Sequence, residues 1–548
     1  MGTILAADFA DERRSYNLRS SAKIRGFNML RRVEILFVLL VWFVFLLLSI
    51  RVFGPDSAHT EFNSDSAIPV LMSNDDRPVT VFDTYYYGAD RWGAWPMLVA
   101  KELHRKTGLH WTDERIHVVK TVWLFLGLLV LVYLDTRAAP AIIVSALIAI
   151  SLDAYLRKRL FDISQLYSWQ LTALFLGWLC LRQLFSQRLL KKKTFWAVAF
   201  YFWGFFAIWN SVVSAPCLAV LVVVEGLRSY FAGQPVTKRR FALAVGLLLA
   251  ATVSELLMKL NYHRYNLKHF GYDYKTPMFF ERGYLTQNLL KNWQNLLDFS
   301  LFPFIVLSFL FVAGIVVFIL YARIAGRRAL LNRAVSLFKD DITTIVVALT
   351  AMAVLNFVIM ICVSHVRASS YESRFLIPTF IFGVIAGSLT IYLAIRTVAN
   401  RIDAGRYVLT VAVVGAFIWL CMEFPRPQVS ARYQTDRETA LILSTKAPGA
   451  ILMGGYWETY IFPALQPTNT MTPLPLEGRH LRIPWTPELL QHAEQVVVEY
   501  HRGGLVPPES PPPDELTQYR NRLKLQDPHF YESDEYAFAL YLNESRKP

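Results

Sequence analysis

Long apolar runs separated by polar connections dominate the chain. A bilayer's hydrocarbon core takes about 20 apolar residues per helix. Eleven stretches approach that length, near 34–53, 116–134, 138–152, 162–181, 194–210, 213–227, 241–258, 300–321, 342–363, 374–395 and 406–422. The third and sixth are short enough to be tilted or broken. The pattern predicts an α-helical polytopic membrane protein of about 11 spans. Three long polar stretches interrupt it, at 54–115, 259–299 and 423–548. In the last, residues 449–456 form an apolar run ending in a Gly turn, Thr486 and Glu488 precede Leu489 and Leu490 as a helix start, and Val496–Val498 and Tyr536–Leu542 suggest strands. That combination predicts a compact C-terminal α/β domain. The division is therefore a basic N-terminus (1–32), a membrane domain (33–422) with long loops 54–115 and 259–299, and a C-terminal domain (423–548).

Composition agrees. Of 548 residues, 54% are hydrophobic and only 18% charged, too few charges to cover a soluble surface of this size. The net charge of +14 would suit nucleic acid, but the cations sit in short clusters between apolar runs. With the N-terminus in the cytoplasm, the inside segments carry 25 Lys and Arg and the short outside loops five. An odd span number then puts the C-terminal domain and both long loops outside the cytoplasm. About thirty Arg-rich polar residues precede the first run and no small-residue cleavage site follows it, so that run is expected to stay as an anchor. All four cysteines fall in apolar runs, which predicts neither disulfide nor zinc cluster. No internal repeat is visible, which weakens a transporter reading.

The unusual polar residues gather in the three long stretches. In the first, Asp65 stands in a half-apolar stretch soon after the first run. A carboxylate partly withdrawn from water there suits general-base work, and the same residue also suits the cap of a helix starting near Ser66. Asp90 and Asp83 are the rival bases, in that order, and Asp75-Asp76 before Arg77-Pro78 reads as a solvated turn. In the second stretch, His263, Arg264, Lys268 and His269 alternate with tyrosines, a pattern for phosphate contact or for an interfacial belt. Two histidines are too few for a metal site. Arg374 opens a late span as Arg-Phe-Leu-Ile-Pro, with His365, Arg367 and Glu372 nearby. Such an Arg can snorkel to headgroups or grip a phosphate. In the C-terminal domain, Tyr456 and Trp457 follow a Gly turn, either as a packed strand end or facing a sugar.

Asp65 followed by a small residue and Ala, then Tyr86-Tyr87-Gly88-Ala89-Asp90-Arg91-Trp92-Gly93, resembles the GT-C class of glycosyltransferases. Closest within it are the bacterial members grouped with protein O-mannosyltransferases and aminoarabinose transferases. Many members have Gln in place of Ala89. The layout of loops and terminal domain is similar as well. The resemblance covers about 30–425. It implies a polyprenyl-phosphate sugar donor and an acceptor hydroxyl on a glycan, lipid or protein at the outer face of a bacterial inner membrane. It further implies Asp65 as base with Asp90 second, and Arg374, Arg264, Lys268 and His263 on the donor phosphate. Tyr87, Arg91, Tyr456 and Trp457 are substrate-side candidates. No cofactor is required, because the phosphate leaves as an anion, and a divalent cation is the one candidate. Membrane lipids are partners and nucleic acid is not. The competing readings are a polytopic transporter or flippase of lipid-linked glycans, a non-catalytic assembly protein, and a polymerase or ligase of lipid-linked glycans.

Overall fold

The structure is a computed structural model. It describes residues 62–87, 93–134, 139–151, 159–186, 190–231, 238–271, 282–327, 340–399, 430–466, 471–477, 481–500, 511–533 and 535–546, with scattered single positions elsewhere. The expected runs 34–53 and 406–422 lie almost wholly outside the described residues, as do Asp90 and Arg91.

The other nine runs all become helices. In chain order, α1 (Ser64–Ser73) and α2 (Trp95–Thr107) belong to the first polar stretch. Then follow α3 (Asp113–Leu134), α4 (Ala139–Ser151), α5 (Tyr167–Ser186), α6 (Leu190–Asn210), α7 (Ser214–Phe231) and α8 (Lys238–Phe270). After these come α9 (Leu285–Leu297), α10 (Phe302–Ile324), α11 (Asp341–Cys362), the short α12 (Ser364–Ala368) and α13 (Ile377–Ala399). Among the described residues, five segments are long and apolar enough to cross a membrane: α7, α8, α10, α11 and Ser373–Ala399. The others are shorter, as α4 is with 13 residues, or carry polar side chains such as Lys120 in α3 and Gln170 and Arg182 in α5.

α8 differs most from expectation. The polar composition from 259 predicts a loop, yet the helix continues to Phe270 because no Gly or Pro stops it. It ends where Gly271 takes φ +71°, the left-handed conformation that closes helices. At 33 residues it is about 50 Å long, well beyond a hydrocarbon core of about 30 Å.

α13 is the packing centre. Every residue from Ile377 to Thr390 is buried, against α4, α10 and α11. Gly387 makes the closest approach possible: a Cβ there would collide with the backbone carbonyl of Phe304 on α10. α8 and α10 instead leave Leu249, Leu257, Leu310 and Val317 exposed, as lipid-facing helices do. One buried charge cluster is paired at the crossing of α5, α7 and α11. Glu225 on α7 is fully buried, accepts the Trp178 indole N–H at 2.7 Å and the Arg182 guanidinium at 2.8 Å, and Arg228 and Asp341 complete the cluster.

The C-terminal region is the expected α/β unit. It runs α14 (Ala431–Lys446), β1 (Ile451–Gly454), α15 (Tyr456–Leu465), β2 (Thr472–Pro475), α16 (Thr486–Leu490) and β3 (Gln495–Glu499). Then come β4 (Glu515–Gln518), β5 (Asn521–Glu532) and β6 (Ala537–Asn543). The sheet order is β2-β1-β3-β6-β5-β4. β1 is parallel to β2 and β3, with Ile451 opposite Thr472 and Val496, and the other pairs are antiparallel. Val496–Val498 are wholly buried, so this strand is covered on both faces. α15 lies on α1, and one apolar core runs from Ile68 and Tyr85 to Phe462 and Phe538. The C-terminal domain is thereby fixed against the first polar stretch.

Candidate functional site

The site has two adjoining parts. The first is built on α1. Asn63, not Asp65, caps this helix: its Oδ1 accepts the Ser66 N–H at 3.0 Å. Asp65 is thus free of the capping role and stands in the first turn, near the positive end of the helix, with its side chain 22% exposed. Its Oδ1 accepts from the guanidinium of Arg482 at 3.0 Å. Arg482 comes from the segment between β2 and α16. It also donates to the Tyr87 carbonyl at 3.1 Å, and its own backbone N–H donates to the Tyr460 hydroxyl at 2.8 Å. Among the described residues no other group hydrogen-bonds the Asp65 carboxylate.

Beside it lies a buried ionic network. Lys101, 1% exposed, reaches Asp75 at 2.7 Å and Asp83 at 2.8 Å. The Tyr87 hydroxyl lies 2.8 Å from both carboxylates. Asp83 also receives the Thr80 N–H at 2.6 Å and hydroxyl at 2.9 Å. A carboxylate so fully engaged is structural, so Asp83 leaves the list of bases. Asp76 is exposed as a turn residue should be, but Asp75 is not. Burial raises the Asp75 pKa, but the hydrogen bond from Arg77 and the charges of Lys101 and Arg77 outweigh it and hold the carboxyl below its ordinary value. Burial first, then the two carboxylates, holds the Tyr87 phenol far above its ordinary value. Tyr87 therefore acts here as a hydrogen-bond donor, buried within this scaffold.

The second part is a cavity of about 230 Å³ among α5, α8, α11 and α13. Two cations line it, Lys259 on α8 and Arg374 at the entry to α13, with Glu255 one turn before Lys259. The rest is apolar (Leu166, Val213, Ile359, Met360), amide (Gln165, Gln170, Asn210, Asn356) or hydroxyl (Tyr167, Ser211). Arg374 is set by its loop. Tyr371 adopts φ +59°, a conformation that costs a bulky residue about 1–3 kcal/mol. Its N–H bonds Val366, its carbonyl accepts from Asn295 at 2.7 Å and its hydroxyl donates to Asn288 at 3.0 Å. Three residues on, the Arg374 carbonyl accepts the Tyr167 hydroxyl at 2.6 Å, and its guanidinium pairs with Glu372 at 2.8 Å.

Loop contacts join the two parts. The Tyr85 hydroxyl donates to Glu255 at 2.9 Å, and the Tyr86 hydroxyl to the Asp65 carbonyl at 3.1 Å. The Ser66 hydroxyl reaches Asp162, whose carbonyl shares the Lys120 ammonium with that of Gln165. Gly93 pairs with Tyr85 and lies so close to Trp209 that a Cβ would collide with its backbone.

The remaining expected residues fall as follows. Arg264 and Lys268 are exposed on α8 and do not line the cavity. His263 is half-buried, its ring 5.7 Å from that of Tyr262. Arg367 lies over the Tyr284 ring, and His365 belongs to α12. Tyr456 and Trp457 open α15, the helix that packs on α1. Sequence reasoning missed Lys259, Arg482 and Asn210. Lys259 and Asn210 end apolar runs and read as span boundaries, and Arg482 sits in an unremarkable loop. Among the described residues no group of three or more His, Cys, Asp or Glu is gathered closely enough to hold a metal ion.

No protein-family profile and no curated protein matches the chain. Among solved structures it is similar to ArnT from Cupriavidus metallidurans in the apo state, at 14% identity and a TM-score of 0.44, covering 94% of this chain and 98% of that one. It is also similar to the oligosaccharyltransferase AglB from Archaeoglobus fulgidus in complex with an inhibitory peptide and a dolichol-phosphate. There the identity is 11% and the TM-score 0.44, over 84% of this chain and 69% of that one. The Archaeoglobus fulgidus oligosaccharyltransferase in complex with Zn and sulfate gives 13% and 0.42, over 84% and 68%.

Proposed function

We propose that the chain is an inverting glycosyltransferase of the GT-C type, taking a sugar from a polyprenyl-phosphate donor to an acceptor hydroxyl at the outer face of the membrane. One observation carries the reading: a partly exposed carboxylate, Asp65, is linked through Tyr86 and Tyr85 to the wall of a cavity within the helix bundle that presents two cations, Lys259 and Arg374. A lipid phosphate needs cations at the end of an apolar channel, and an acceptor hydroxyl needs a carboxylate reachable from water.

In this scheme Asp65 accepts the acceptor's hydroxyl proton. The acceptor oxygen attacks the anomeric carbon, and the bond from that carbon to the phosphate oxygen breaks. The electron pair leaves with the phosphate, where Lys259 and Arg374 stabilise it. Direct displacement inverts the anomeric centre. Arg482 occupies one oxygen of Asp65 and orients the other. Arg264, Lys268 and His263 would serve the donor headgroup on approach, and Tyr456 and Trp457 the acceptor. Asp90 with Arg91, outside the described residues, remains the second base.

A transfer assay tests this. The purified protein is given labelled polyprenyl-phosphate sugars and a membrane extract as acceptor. Wild type should transfer, Asp65→Asn should lose at least about 10²-fold in kcat while still folding, and Arg374→Ala should lose donor affinity. Transfer retained in Asp65→Asn would move the role to Asp90. A wild type that carries the glycolipid across liposomes without transfer would replace this reading with transport.

A further inference from the structure

Three of the cavity's four amide side chains keep polar atoms unmatched, while Gln170 donates to Ser214. Asn210 at the end of α6 is fully buried, and among the described residues neither its Nδ2 nor its Oδ1 has a hydrogen-bond partner. Gln165, 2% exposed, leaves its Oε1 unmatched although its Nε2 donates to Ser164. Asn356 is fully buried. Its Nδ2 donates to Thr379 at 2.9 Å, and its Oδ1 is unmatched. All three line the space that holds Lys259 and Arg374.

Buried polar groups are ordinarily satisfied, and an unmatched one costs stability. Asn210 does not cap α6, since among the described residues its side chain bonds nothing. The three side chains line one cavity, and an amide carries both donors and acceptors, the complement of hydroxyls, which are both at once. At 230 Å³ the space falls below the roughly 300 Å³ at which pockets for drug-sized molecules begin, so it suits a group the size of one sugar ring. Glu255 on the same wall disfavours an anionic group.

Resting on the glycosyltransferase reading, we propose that Asn210, Gln165 and Asn356 recognise the hydroxyls of the donor's glycosyl group, and that the cavity selects a single uncharged sugar. Lys259 and Arg374 hold the phosphate, and the amides decide which sugar it carries.

Binding in detergent separates the two claims without requiring turnover. The probes are undecaprenyl phosphate alone, and the same lipid phosphate carrying mannose, glucose or N-acetylglucosamine. Wild type should bind one of the glycosylated lipids more tightly than the bare one. Asn210→Leu should weaken that binding about tenfold, leave the bare lipid's affinity unchanged, and keep or raise Tm, because an unmatched amide is removed. Arg374→Ala should weaken both lipids. The proposal is overturned if Asn210→Leu leaves both affinities as in wild type, weakens both equally or lowers Tm. It is also overturned if wild type treats all glycosylated and bare lipids alike. Should wild type bind the bare lipid no better than a Lys259→Ala, Arg374→Ala double variant, the glycosyltransferase reading fails, and this proposal with it.

Discussion

Lys101 neutralises two carboxylates with one ammonium, and none of the three groups is left in water. Replacing it by Met would leave buried Asp83 without its cation and Asp75 with Arg77 alone. We expect Lys101→Met to cost about 3–5 kcal/mol, the usual penalty for breaking a buried ion pair from one side, measured as a lowered thermal midpoint in detergent. The sequence disclosed only part of this. Asp65 could be picked out because it stands in a half-apolar stretch where carboxylates are uncommon. Asp75 could not be told from Asp76, since adjacent carboxylates before Arg-Pro look like a turn whether or not a lysine 26 residues on folds beneath one of them. Asn210 was equally hidden, because an amide at the end of an aromatic helix reads as a boundary residue until the cavity beside it is seen.

Among the elements, the apolar runs were the plainest feature, and nine of eleven are helices in the described residues. Periodicity is local, so a run of twenty apolar residues settles its own conformation. What it does not settle is which face meets which neighbour. Gly387 is one of several glycines in spans, and only the crossing of α10 over α13 shows that it is indispensable. Gly387→Leu should force these helices apart, lowering thermal stability by at least about 1–3 kcal/mol as overpacking does. A circular-dichroism melt measures it, with Gly246→Leu on open helix surface as the control that should change little. The continuation of α8 through Lys259 to Phe270 was missed for the converse reason. Its composition turns polar at 261 while its backbone has no cause to stop.

Across the whole molecule, the C-terminal domain and the first polar stretch act as one body. Their contact includes His110, half-buried against the backbone of Gln466. Burial pushes the imidazole below its ordinary value of about 6.5, a shift the Gln466 contact only partly offsets. The unfolded chain therefore takes up this proton before the folded one does. The contribution of His110 to docking is present above pH 6.5 and is lost as pH falls through the lowered folded value. The thermal midpoint should fall between pH 7.5 and 5.5, and less so in His110→Gln. A domain that looked generic in the sequence thus turns out to be anchored, because strand pattern reports a sheet but not the surface it rests on.

Asp65 and Arg482 are 417 residues apart in the chain. At the ordinary pace of translation, about 5–20 residues per second, the ribosome works for roughly 20 to 80 s between making one and making the other. Throughout that interval the carboxylate exists without the arginine it pairs with in the folded chain. The nascent chain thus passes through most of its synthesis with the pair incomplete, and gains it only once residue 482 of 548 has been made.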